Sequence, residues 1–253
     1  MCQLLGMNCN TPTDIVFSFE GFRCRGGLTD EHGDGWGIAF FEGDGCRLFL
    51  DYLPSISSPV ADLVRSYPIK SKNVIAHIRK ATQGQINLAN THPFQRELWG
   101  RYWIFAHNGN LTELPSLAES RFHTVGSTDS EHAFCWILDQ LARQFEEMPS
   151  RAQLHLAMQA LAQQLAQHGT CNFLLSDGDT MFAHCSTVLH YIVRQAPFTV
   201  AHLSDMDMAV DFSAETTPND RVAMIATQPL TDNETWTPMH SGQLLMFVDG
   251  SIQ

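Results

Sequence analysis

The residue with the most evident chemical use in this chain is Cys2. Once the initiator Met1 is removed, a single Cα carries both a thiol nucleophile and a free α-amine. Such an amine titrates near ~7.7–8, so it can take the thiol proton at neutral pH without a partner histidine. Cys2 is small enough for Met1 to be cleaved readily. The plainer reading is a small residue opening a strand, because the apolar run Leu4, Leu5 and Met7 follows and buried cysteines are commonly inert.

Other stretches carry the residue types that an acyl-transfer nucleophile needs. In His77-Ile78-Arg79-Lys80-Ala81-Thr82 a strand runs into a loop. An arginine there can clamp a carboxylate through two parallel hydrogen bonds, or can simply lie at the surface. In Ala106-His107-Asn108-Gly109-Asn110 the Asn-Gly pair after an apolar strand is ordinarily a turn. The alternative is an oxyanion hole, with the Asn108 amide and the Gly109 N–H donating to a developing negative oxygen. Asp129 lies in the first turn of a helix, where the dipole favours an acid and where a carboxylate can also hold an α-ammonium group. The glycine-dense His32-Gly33-Asp34-Gly35-Trp36-Gly37 lacks the GxGxxG spacing and a following helix, so it reads as a structural turn. None of the 12 histidines, His77, His92 and His107 among them, sits in HxH or HExxH spacing, so neither a metal nor another cofactor is expected.

The elements that must position these residues are legible as punctuated apolar segments. Strands are expected over 36–41, 46–50, 73–78 and 102–106, and again over 171–175, 180–184, 189–193, 221–226 and 244–248. Glu42-Gly43-Asp44-Gly45 and Asp177-Gly178-Asp179 read as hairpin turns, which makes the strands largely antiparallel. Helices are expected over 58–66, from a capping box at Thr128-Asp129-Ser130-Glu131, and over 151–168. The second shows Phe134, Ile137, Leu138, Leu141 and Phe145 on one face, and the third shows Leu154, Leu156, Met158, Leu161 and Leu165. Strands, then helices, then strands predict an α+β fold of two sheets covered by helices.

Composition narrows the function classes. A chain of 253 residues with 44% hydrophobic and 17% charged content has enough apolar surface for one large folded domain. A net charge of −12 repels a phosphate backbone, so no nucleic-acid partner is expected. No apolar run reaches the ~18 residues that cross a bilayer, and the N-terminus lacks a signal peptide's basic region, so no membrane association and a cytoplasmic location are expected. Seven cysteines without a CxxC pair argue against a disulfide framework and for free core thiols.

Taken together, Cys2 and the HIRKAT, HNGN and TDSE segments, in that order, resemble the glutaminase domain of the class II glutamine amidotransferases, which are N-terminal-nucleophile hydrolases. The HGDGWG and THPF segments add to the likeness, as does Ala226-Thr227-Gln228-Pro229-Leu230, although Thr227 and Gln228 can equally just end a strand. The resemblance implies a four-layer αββα sandwich of two mainly antiparallel sheets, formed by a single domain over residues 2–253 after removal of Met1. It implies that Cys2 attacks the side-chain carboxamide of glutamine, with Asn108 and Gly109 as oxyanion donors. Arg79, helped by Thr82, then binds the substrate α-carboxylate, and Asp129 its α-ammonium. Lys80 and Gln83 replace an aromatic residue and a histidine found in several synthase-linked members, and the length leaves no room for a synthase domain. A stand-alone amidase acting on glutamine or another γ-glutamyl small molecule is therefore expected. The alternative is an ammonia-supplying or regulatory γ-glutamyl-binding subunit that needs a separate synthase partner.

Overall fold

The computed structural model describes residues 2–81 and 85–253. Its first half runs β1 (Gln3–Thr13), α1 (Val16–Cys24), β2 (Trp36–Glu42), β3 (Gly45–Asp51), α2 (Pro59–Ser66), β4 (Ser71–Ile78), β5 (Phe94–Leu98), β6 (Arg101–Leu111) and α3 (Asp129–Gln144). Then follow α4 (Arg151–Leu165), β7 (Gly169–Ser176), β8 (Thr180–Cys185), β9 (His190–Gln195), β10 (Val200–His202), β11 (Ala209–Asp211) and α5 (Phe212–Glu215). The chain closes with β12 (Arg221–Ala226), β13 (Thr237–Pro238), β14 (Gln243–Val248) and β15 (Ser251–Ile252).

Seven strands form one sheet in the order β13-β9-β12-β1-β4-β2-β3, and six form another in the order β15-β14-β8-β7-β6-β5. A small third sheet pairs β10 with β11. Every strand pair among the described residues is antiparallel. The two large sheets stack face to face with helices outside, the expected αββα sandwich. Side-chain alternation assigns the layers. Leu4, Ile75, Ile104, Ala106, Leu174 and Ile225 fill the space between the sheets. Leu5, Met7, Ile38 and Val74 point the other way, onto Phe19 and Phe22 of α1 and Ala61 and Val64 of α2. Phe105 and Phe173 face Phe134 of α3 and Leu154 of α4. Strands buried on both faces show no polar alternation, which is why these segments read as continuous apolar runs.

Several elements depart from expectation. The segment 102–106 extends to Leu111, because β7 pairs with it continuously from Ile104↔Ser176 to Leu111↔Gly169. Asn108-Gly109 is therefore strand, not turn. The capping box at Thr128 forms by half: Thr128 Oγ1 accepts the Glu131 N–H at 3.2 Å, but the Glu131 carboxylate does not return to the cap. It accepts instead from the Val125 and Gly126 N–H groups at 3.0 and 2.7 Å and from Arg96. Both halves of a capping box appear one helix later, between Ser150 and Gln153. In α4, Leu154, Met158, Leu161 and Leu165 define the buried stripe, and Leu156 is 69% exposed. The N-terminal strand and α1 were not delimited by any turn or cap signal: the residue at the α1 N-cap, Ile15, makes no side-chain cap bond.

The sheets are pinned together by a buried amide network. Asn8 Nδ2 donates to Asn73 Oδ1 at 2.8 Å, linking β1 to β4. Asn73 then donates to the Gly178 carbonyl in the β7–β8 turn, and the Gly250 N–H donates to Asn8 Oδ1 at 2.7 Å from the β14–β15 turn. Asn8→Ala strips partners from Asn73 and Gly250 inside the protein. We predict a loss of about 1–3 kcal/mol of stability, read as a lower midpoint in urea unfolding with an unchanged slope. A midpoint equal to that of the parent would show that the network carries no such energy.

Candidate active site

At the end of the sandwich opposite the Asn8 network, strands from both sheets bring the expected residues together. The β1–β4 register pairs Gln3 with Ile78, so its continuation sets Cys2 against Arg79. The Cys2 thiol lies on the backbone just beyond: Sγ accepts from the Lys80 N–H at 3.2 Å and donates to the Lys80 carbonyl at 3.4 Å. From the second sheet, the Asn108 side-chain amide donates to the Cys2 carbonyl. Asp129, at the first position of α3, accepts the Leu111 N–H at 2.7 Å on Oδ2 and so joins the end of β6 to the helix start. Cys2, Arg79 and Asn108 thus meet where the two sheets converge, Gly109 follows on β6, and Asp129 joins the end of that strand to the N-terminus of α3. Thr82 lies outside the described residues.

Each residue is held by neighbours that sequence reasoning did not single out. The turn containing Asp34 braces Arg79: the Arg79 N–H donates to the Gly35 carbonyl at 2.8 Å, and the Asp34 N–H donates to the Arg79 carbonyl at 3.2 Å. The Asp34 carboxylate accepts the Ala81 N–H at 2.7 Å. The HGDGWG turn is structural, as expected, and what it builds is the arginine's seat. Arg79 Nη1 also donates to the Gln85 carbonyl at 3.2 Å. Asn90 ties the same loop to the approach of α3, donating to the Gln85 carbonyl at 3.0 Å and accepting the Ser127 N–H at 2.8 Å. Behind Asn108, the fully buried Asn172 donates to the Asn108 carbonyl at 3.0 Å and accepts from Ser186 and Thr187 at 3.0 Å each. An isolated asparagine in an apolar strand was the only signal available for it. Gly109 has no room for a side chain, because a Cβ there would run into the Thr170 carbonyl of β7. The glycine is required by strand packing alone.

Burial raises every thiol in the chain. Burial pushes the Cys2 thiol up, but the Lys80 amide hydrogen bond and the positive charge of Arg79 oppose that shift. Cys9, Cys46 and Cys171 are pushed up to about 12 chiefly by burial. All seven cysteines are free. Arg79 is itself lowered by burial, with Cys2 and Asp34 pulling the other way.

Buried histidines surround the site. The rings of His77 and His92 lie 4.2 Å apart, and among the described residues none of their ring nitrogens has a partner in hydrogen-bond geometry. Burial lowers His77 to about 3 and His92 well below its ordinary value, and it also lowers His107 and His184. His107 Nε2 faces the Thr170 carbonyl at 3.2 Å, so that nitrogen carries the proton and Nδ1 accepts from Ser130 Oγ at 2.8 Å. Among the described residues no set of three His, Cys, Asp or Glu side chains is arranged to hold a metal ion.

These histidines fix a pH response. For His77 and His92 the unfolded chain takes up protons below about pH 6.5, whereas the folded chain keeps both neutral to well below that. Their stabilisation is therefore complete above pH 6.5 and is lost as pH falls towards the folded values, by about 1.4 kcal/mol per pH unit for each group. Urea unfolding at pH 7 and pH 5 should show a large drop that is smaller in His92→Phe. An equal drop in both proteins would mean that His92 is not buried neutral.

The chain also compares closely with known proteins. Residues 1–253 match the family described as glutamine amidotransferases class-II. A Haemophilus influenzae protein named "Putative glutamine amidotransferase" is 57% identical over 99% of this chain and 85% of its own length. The Escherichia coli protein "Putative glutamine amidotransferase YafJ" is 55% identical over 99% of this chain and 98% of its own. A crystal structure of a "predicted glutamine amidotransferase" from Pseudomonas aeruginosa superposes with a TM-score of 0.79 at 45% identity, covering 99% of each chain. The αββα layering described above is the N-terminal-nucleophile fold of such proteins. With its family, fold and convergent site in agreement, the chain belongs to the class II glutamine amidotransferases.

Proposed function

We propose that this protein hydrolyses the γ-carboxamide of glutamine, or of a related γ-glutamyl amide, through a thioester on Cys2. The reading rests on one observation above all: Cys2 is the residue on which both sheets converge, its thiol on the Lys80 backbone and its carbonyl on the Asn108 amide. Residues 2–253, with Met1 removed, act as one catalytic domain.

The freed α-amine of Cys2 takes the thiol proton, and the thiolate attacks the amide carbon of the substrate. Negative charge then develops on the former carbonyl oxygen. A side-chain amide has two N–H donors, so Asn108 can keep the Cys2 carbonyl with one and serve the oxyanion with the other. The Gly109 N–H is the second oxyanion donor. The α-ammonium returns the proton to the departing ammonia or amine, leaving a γ-glutamyl thioester that water cleaves to glutamate. Arg79, with Thr82, binds the substrate α-carboxylate. Asp129 binds the α-ammonium through Oδ1, since Oδ2 serves Leu111. No metal or other cofactor enters any step. A reducing cytoplasm suits the free thiols, and a separate synthase partner could use the ammonia.

The deciding measurement is glutamate release from L-glutamine and a panel of γ-glutamyl amides, with the N-terminus verified by mass spectrometry. Cys2→Ala should abolish release. Asn108→Ala should slow it by 10²–10³-fold, about 3–4 kcal/mol for one oxyanion donor. Asp129→Asn should act mainly by raising KM. An unchanged rate in Asn108→Ala would remove it from the mechanism. No release from any compound, with Met1 shown to be absent, would instead identify a subunit that depends on a synthase.

A further inference from the structure

Thr227 stands at the one place where the strand next to the nucleophile's own strand gives out. β1 and β12 pair from Cys9↔Val222 to Leu5↔Ala226, and β12 ends at Ala226. Beyond it the chain leaves towards Gln228 and Pro229, and the latter has no N–H to offer. The ladder nevertheless continues for one more residue. The Thr227 N–H donates to the Leu4 carbonyl at 3.1 Å, while the Leu4 N–H donates to the Thr227 hydroxyl at 2.9 Å in place of a carbonyl. Leu4 is fully buried and Thr227 is 3% exposed, so water cannot substitute for this bond.

The threonine is itself fixed. Its carbonyl accepts from His190 Nδ1 at 3.0 Å. The buried Arg25 spans the residues that follow, donating to the Gln228 and Pro229 carbonyls at 2.9 and 2.6 Å and to Gln3 Oε1 at 3.5 Å, with Asp205 paired at 2.7 Å. Cys2 is therefore approached from three sides: by Lys80 beyond β4, by Asn108 of the second sheet, and through Leu4 by Thr227.

We propose that Thr227 is a positioning residue for the Cys2 nucleophile, its hydroxyl supplying the last hydrogen bond on the β12 side that holds the start of β1 in place. Thr227 touches no reacting atom. This inference rests on Cys2 being the nucleophile, and it deepens that reading by naming what aims it. Small displacements of a reacting group are costly in rate: about 1 Å can lower turnover 10²-fold.

The test compares Thr227→Val, which keeps the shape but loses the acceptor, with Thr227→Ser, which keeps the acceptor. Two quantities are read in the full chain: kcat and KM for glutamate release, and the rate at which iodoacetamide alkylates Cys2, followed by peptide mass spectrometry. Thr227→Val should lower kcat at least ~10-fold at similar KM and slow alkylation of Cys2 in parallel, and Thr227→Ser should restore both. If Thr227→Val does not fold, Arg25→Lys, which withdraws the fork from the Gln228 and Pro229 carbonyls, should slow alkylation in the same way. Parent-like kcat and alkylation in Thr227→Val, a rise in KM alone, or failure of serine to rescue would overturn the proposal. So would parent-like alkylation in Arg25→Lys. Alkylation needs no substrate, so alkylation that depends on Thr227 without any glutamate release would sustain the positioning role while ending the hydrolase reading.

Discussion

Backbone pairing along both edges of β1 is the constraint on which the rest of the molecule turns. The strand lies between β12 and β4, with Leu4 and Gly6 facing the second sheet and Leu5 and Met7 facing α1 and α2. A strand enclosed on four sides has one register, since a slip by one residue would exchange its two apolar faces. Contact between the sheets is close enough that a Cβ at Gly6 would sit 2.9 Å from Met181 Sδ. Cys2 therefore projects from the best-fixed element of the fold, and groups on neighbouring elements can be set against it with little freedom on either side.

That placement also decides the charges around the thiol. The chain carries a net charge of −12, yet the side-chain charge acting on the Cys2 thiol is that of an arginine, and the thiol accepts from a backbone amide. Imidazoles close by are held neutral by burial, so they add polarity without adding charge. Asp34 spends its carboxylate on the Ala81 N–H at the arginine's seat. The half-buried Cys2 thiol thus has a positive side chain acting on it, on a molecule that is otherwise acidic.

Much of this was legible in the sequence because strong local signals and global packing agree. The Gly43-Asp44 and Gly178-Asp179 turns, the Thr128 cap and the apolar segments of the strands all point to the layers that form. Ordered short motifs pointed to the site, and the structure gathers Cys2, Arg79, Asn108, Gly109 and Asp129 at one end of the sandwich. What stayed hidden has physical causes. Asn108-Gly109 looks like a turn because local propensity cannot register the Asn172 amide and the β7 ladder that keep it extended. Glu131 looks like a capping acid because nothing nearby in sequence reveals Arg96, which arrives from another strand. Asp34, Asn90 and Thr227 act through backbone atoms of distant segments, and residue type alone does not encode such partners.

The Asn8–Asn73 network gives the sandwich a mechanical character. It clasps β1 and β4 to two turns of the second sheet, six residues along β1 from the thiol. The sheets are thus clamped at one end, and at the other they meet again through the Asn108 amide on the Cys2 carbonyl. Over a lever of roughly 20 Å, a rotation of about 3° at the clamp opens or closes the tips by about 1 Å, a displacement large enough to matter for rate. With Cys2 as the proposed nucleophile, substitutions at the clamp would reach the chemistry as a change of aim, six residues along β1 from the thiol.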